Sequence, residues 1–134
     1  MITDKMKRFI EDVNRAFVAS ADQRARPHLA ATRHVRVPDP EHLAFEAWFC
    51  HKTLENVAEV PRVAVAIIDP ESGLGYQLSC RVESTTQTNV LDGYAPEIEE
   101  PGMPQAQWRM VVRIEEIMEF SSGVHTDHPL RAES

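Results

Sequence analysis

Apolar residues recur at helical spacing from Ile2 to Phe17. Ile2, Met6, Phe9, Ile10, Val13 and Phe17 share one face, and Asp4, Lys7, Arg8, Glu11, Asp12 and Arg15 fill the other. That distribution predicts an amphipathic helix over 3–16, with Thr3 as its N-cap. The period then shortens to two. Phe17 to Ala21 predicts a first strand and Asp22 to Pro27 a turn. From Pro27 the run HLAATRHVRV alternates, with Leu29, Ala31, Val35 and Val37 on one face and His28, Ala30, Thr32, His34 and Arg36 on the other. Arg33 falls with the apolar set, where a charge needs a partner or the open end of a barrel.

After a turn at Pro38-Asp39-Pro40-Glu41, the stretch 43–50 reads as a strand with Leu43, Phe45, Ala47 and Phe49 on one face. The polar stretch Lys52 to Glu59 reads as a short helix, and the Val/Ala/Ile run Arg62 to Ile68 as a strand buried on both faces. Asp69-Pro70-Glu71-Ser72-Gly73 is a hairpin turn. Gly75 to Glu83 alternates, with Tyr76, Leu78, Cys80 and Val82 on one side. Residues 84–106 hold three prolines and an acidic group, and predict a loop or lid with a short helix around Val90, Leu91 and Tyr94. Trp108 to Phe120 returns to alternation, with Met110, Val112, Ile114, Met118 and Phe120 on one face and Glu116 the exception. Residues 121–134 carry little core material and predict a fraying tail. The sum is mainly β (α+β): a small antiparallel barrel of about six strands with helical additions, as a single domain over 1–134.

Composition narrows the function. The chain of 134 residues suits one core, and 14 Lys+Arg against 21 Asp+Glu leave a net charge of −7. An acidic surface argues against general nucleic-acid binding. No stretch reaches membrane-helix length and no signal-peptide shape begins the chain, so the expectation is a cytoplasmic protein with no membrane partner. Cys50 and Cys80 lie in separate predicted strands, which favours two buried free thiols over a disulfide.

The candidate chemistry gathers at Lys52 and Thr53. Thr53 is a suitable N-cap for the turn Leu54–Val60, and a helix start favours an anion. Lys52 adds a full charge beside it, and Asn56 is close enough to brace the loop. One of Arg33, His34 and Arg36 on a neighbouring strand would complete a two-charge phosphate clamp. The motif alone favours a capped helix with a solvated lysine. Trp108 could stack on a flat ring, although a core role suits it better on these grounds. Gln77 could meet a ring edge. His125 and His128 make half a metal site at most, so no metal is expected. Glu115 and Glu116 point to opposite faces of a strand and are not a catalytic pair.

FVASADQRARPHLAAT, FxxWFCHKTLENVAEVPRVAVAI and GYQLSCRVE, in that order, resemble the FMN-binding split-barrel family related to pyridoxamine 5′-phosphate oxidase, especially its small members. The resemblance covers residues 5–83 well and Trp108–Phe120 more loosely. It implies a six-stranded antiparallel split barrel, a homodimer, and FMN in a groove at the subunit interface. It implies that Lys52 and Thr53 bind the FMN phosphate. Ala31, Thr32 and Arg33 would line the flavin ring and ribityl chain. Phe49, Cys50 and His51 would form the wall leading to the phosphate, and Trp108 would reach across from the second subunit. The proline-rich segment 84–106 departs from the helix that relatives often carry. The chain also lacks the arginine and histidine motif of true pyridoxamine 5′-phosphate oxidases, so vitamin B6 oxidation is not expected. The implied function is an FMN-dependent oxidoreductase of unknown substrate, with no residue assigned as catalytic. The alternatives are a non-enzymatic flavin or electron carrier, the same barrel holding a deazaflavin or haem, or a barrel without ligand.

Overall fold

The structure is a computed structural model that describes residues 1–47, 51–90, 106–124 and 128–130. Helix α1 spans Asp4–Val13. Thr3 caps it as expected, its hydroxyl oxygen accepting from the Met6 N–H at 3.1 Å. Asn14 ends it in a left-handed conformation, and its N–H donates to the Ile10 carbonyl. The same cap ties the helix to the sheet. The Asn14 side-chain oxygen accepts from the Val35 N–H at 2.9 Å, and Glu11 accepts from the Val37 N–H at 3.1 Å.

Seven strands follow: β1 (Arg15–Ala21), β2 (Pro27–Arg33), β3 (Val35–Asp39), β4 (His42–Ala47), β5 (Arg62–Ile68), β6 (Leu74–Val90) and β7 (Ala106–Ser121). Helix α2 (His51–Glu59) lies between β4 and β5. The strands form one sheet in the order β2-β1-β5-β6-β7-β4-β3, and each pair in it is antiparallel. Among the described residues no pairing joins β2 to β3 to close the ring. Seven strands in an open order therefore replace the six-stranded barrel expected from the sequence.

The extra strand comes from His34. Its φ of 60° breaks the run 27–37 in two. The break also shifts the phase of alternation. Val35 and Val37 face the core as expected, but in β2 the inward residue is Thr32, while Leu29, Ala31 and Arg33 face out. Arg33 is thus not a charge on a buried face.

The strand-to-strand wall buries Val18, Val65, Ile67, Leu78, Leu43, Phe45, Met110 and Val112 almost completely. Burying each such side chain contributes about 1.5–3 kcal/mol relative to exposure. A register shift in β6 and β7 leaves Glu115 between the pairs Cys80–Ile114 and Ser79–Glu116. This bulge explains why Glu116 interrupts the pattern: Ile117 turns inward, and Met118 and Phe120 leave the core face. Residues 84–90 belong to β6 rather than to a loop; 91–105, with the expected short helix, lie outside the described residues. In the expected fraying tail, Leu130 donates its N–H to the Ile117 carbonyl at 2.7 Å and packs on the core.

Candidate phosphate site at the start of the second helix

α2 begins at His51, so Thr53 lies inside its first turn and is not the N-cap. The helix is amphipathic. Thr53, Asn56 and Val57 are buried, while His51, Lys52 and Glu55 are exposed. Thr53 has no accessible surface, so its side chain is enclosed beneath the turn. Asn56 does brace the helix: its amide donates to the Ser20 hydroxyl at 3.1 Å in a buried position. That bond fixes α2 to the end of β1.

Lys52 points toward the β1–β2 turn, where its ammonium lies 3.8 Å from Asp22 Oδ2. Asp22 organises that turn. Its Oδ1 accepts from the N–H groups of Arg24 (2.9 Å) and Arg26 (3.0 Å), and its Oδ2 accepts from Arg26 Nε at 2.6 Å. The Arg26 backbone N–H, opposed by burial and reinforced by the Arg26 side chain, holds the Asp22 carboxyl below the usual carboxylate range. The turn also contains Ala25 at φ 61°.

This geometry changes the expected clamp. Lys52 meets the Pro27 end of β2, and Arg33 is at the other end, about 20 Å away along an extended strand. His34 and Arg36 lie beyond it. The cation beside Lys52 is Arg26, which the sequence reading assigned only to a turn. An Asp followed four residues later by Arg, inside a turn that returns toward a helix start, was the available signal.

The other expected residues are spread out. Ala31 is exposed opposite Phe17, and Thr32 is buried with its hydroxyl donating to the Arg33 carbonyl at 3.2 Å. Trp108 is half-buried on the side of Phe45 and Met110, paired in register with Ala47 and Gln87, and packs on the core. Phe49 and Cys50 lie outside the described residues, as does His125; His128 is exposed. Gln77 is half-buried on the outer side of β6, opposite Ala66.

Small residues dominate one outward surface. Ala31 of β2, Phe17 and Ala19 of β1, and Ala64 and Ala66 of β5 alternate with buried Val18 and Val65 and stand beside one another in register. Phe17 is 46% exposed and Leu29 65%. Alanines across three strands leave a flat apolar shelf with one aromatic ring on it. Arg15 and Arg33, opposite each other, mark its rim.

A family model described as pyridoxamine 5′-phosphate oxidase matches residues 2–118. No curated protein matches the chain. The fold is similar to that of HupZ from Group A Streptococcus, at 23% identity and TM-score 0.69 over 94% of this chain and 99% of that one. It is similar to an FMN-binding protein from Syntrophomonas wolfei subsp. wolfei, at 13% identity and TM-score 0.66 over 90% and 87%. It is also similar to HutZ, the heme storage protein from Vibrio cholerae, at 15% identity and TM-score 0.58 over 92% and 96%.

Proposed function

The chain belongs to the pyridoxamine 5′-phosphate oxidase family, and from that membership we propose that it is an FMN-binding flavoprotein, an oxidoreductase by function, that works as a homodimer. The observation that carries the reading is the exposed Lys52 at the first turn of α2, set against Asp22 at the end of β1. Lys52 holds the phosphate with the help of the helix start. Thr53 seats that turn from beneath, since its side chain is enclosed. Ala31, about 13 Å along β2 from Pro27, belongs to the surface that receives the flat ring. The bound flavin supplies redox chemistry, and the chain supplies position and shelter. A second copy of the chain covers Phe17 and Leu29, which are otherwise large apolar groups left in water.

The deciding experiment is a titration of the purified protein with FMN and with riboflavin, read by flavin fluorescence and the visible spectrum. FMN binds more tightly than riboflavin, and Lys52→Ala weakens FMN by about tenfold, the loss of one charge-assisted hydrogen bond. A protein that ignores FMN, or that takes haem and shows a Soret band instead, overturns the reading. NAD(P)H consumption with an added electron acceptor separates an enzyme from a carrier.

A further inference from the structure

Resting on the FMN reading, we propose that Arg26 is the second cation of the phosphate site and that Asp22 is a built-in counter-anion, which the two cations hold until a phosphate dianion takes them over. Arg26 Nε and Lys52 Nζ converge on the same atom, Asp22 Oδ2, at 2.6 and 3.8 Å. That oxygen stands where two cations would share an oxygen of a ligand. The three partners differ in freedom. Asp22 is 9% exposed and its Oδ1 is fixed by two backbone N–H groups. Arg26 and Lys52 have side chains 65% and 45% exposed, so they can turn toward solvent.

A ligand therefore competes with a carboxylate that cannot leave for cations that can. Asp22 offers Arg26 one oxygen, because its other oxygen is occupied. A phosphate dianion offers three oxygens and twice the charge, and it can engage a guanidinium through two parallel bonds. A neutral flavin gains nothing from either cation. Asp22 is thus a specificity-determining residue: it sets a threshold of ligand charge below which the cations stay where they are. Arg26 supplies the geometry that Lys52, a point charge, lacks.

The test uses the intact protein with FMN and riboflavin as probes. Arg26→Gln weakens FMN by about tenfold, as expected for one charge-assisted hydrogen bond, and leaves riboflavin unchanged. Asp22→Asn keeps an oxygen for the Arg24 and Arg26 N–H groups and removes the charge. It tightens FMN by about threefold or more, since a like charge near the phosphate is gone, again without effect on riboflavin. Thermal melts establish that both variants are folded, and Arg26→Gln, on an exposed side chain, decides the matter should Asp22→Asn melt early. With Lys52→Ala weakened, unchanged FMN binding by Arg26→Gln, or equal or weaker binding by a folded Asp22→Asn, overturns this inference and leaves the FMN reading standing. A wild-type protein that binds no FMN, or a Lys52→Ala variant that binds it unchanged, overturns both.

Discussion

His42 is held by both ring nitrogens. Nδ1 meets Asp39 Oδ1 at 2.8 Å, and Nε2 reaches over β7 to Glu83 Oε1 at 2.8 Å. Arg113 stands opposite it on β7. The hydrogen bond to Asp39, opposed by burial and supported by Glu83, raises His42 above its ordinary value of 6.5. The protonated ring is therefore favoured in the folded chain. Its stabilisation is complete below the unfolded value and disappears as pH rises through the folded one. Asp39 runs the other way. His42 and the Glu41 N–H hold it below the usual carboxylate range, so its contribution is lost as pH falls through that lowered value. Thermal melts across pH will peak between these two titrations, and His42→Gln will flatten the decline on the alkaline side. Cys80 offers a second check. Burial, with Glu115 adding to it, pushes its thiol up to about 12. Peptide mapping after iodoacetamide will find Cys80 unmodified in the native protein and alkylated in urea. The sequence indicated a buried Cys80 because its strand alternates cleanly. It could not indicate His42, whose partners are 3 and 41 residues away.

β5 was legible in its bounds, Arg62–Ile68, because a β-branched run after a proline has few other uses, but it is buried on one face and not on both: Val63, Val65 and Ile67 face the core while Ala64 and Ala66 face outward. α1 was legible from its amphipathic face, although it ends at Val13 and β1 already begins at Arg15, and α2 was legible only as a polar stretch. What the pattern hid were departures from regular geometry. A histidine in the left-handed region looks like any histidine, so the break at His34 passed for continuous alternation. The β6–β7 bulge showed itself only as one glutamate out of phase. The clamp failed on distance instead: Lys52 meets the Pro27 end of β2, and Arg33, His34 and Arg36 lie at or beyond the other end. Two substitutions test the observed elements. A Cβ on Gly75 would run into the Ile67 carbonyl oxygen and lie 2.7 Å from Ile68 Cα, both backbone atoms. Gly75→Ala will thus push β5 and β6 apart and lower stability by about 2 kcal/mol or more, within the range for overpacking. Asn56→Ala leaves the Ser20 hydroxyl without its buried donor, costs about 1–3 kcal/mol in urea unfolding, and loosens α2 where FMN is proposed to bind.

In the proposed homodimer, the outward apolar shelf is the face that a second copy covers. A charge at its centre tests this directly. Phe17→Glu, on an exposed position, will leave the monomer folded but shift light scattering from dimer to monomer, with FMN binding lost together with the interface; an unchanged dimer would refute the proposed covering of this face. The order of the sheet has a different consequence, one of timing. β3 and β4 are made early, yet β4 docks on β7, with His42 opposite Arg113. A hairpin from the first third of the chain must wait for a strand near its far end. Contacts of such long sequence separation close slowly, on the order of milliseconds to seconds. During synthesis at roughly 5–20 residues per second, Leu43 and Phe45 spend several seconds without the strand that later buries them. Through that interval the nascent chain carries Leu43 and Phe45 uncovered, and β7 is the strand whose arrival completes their pairing.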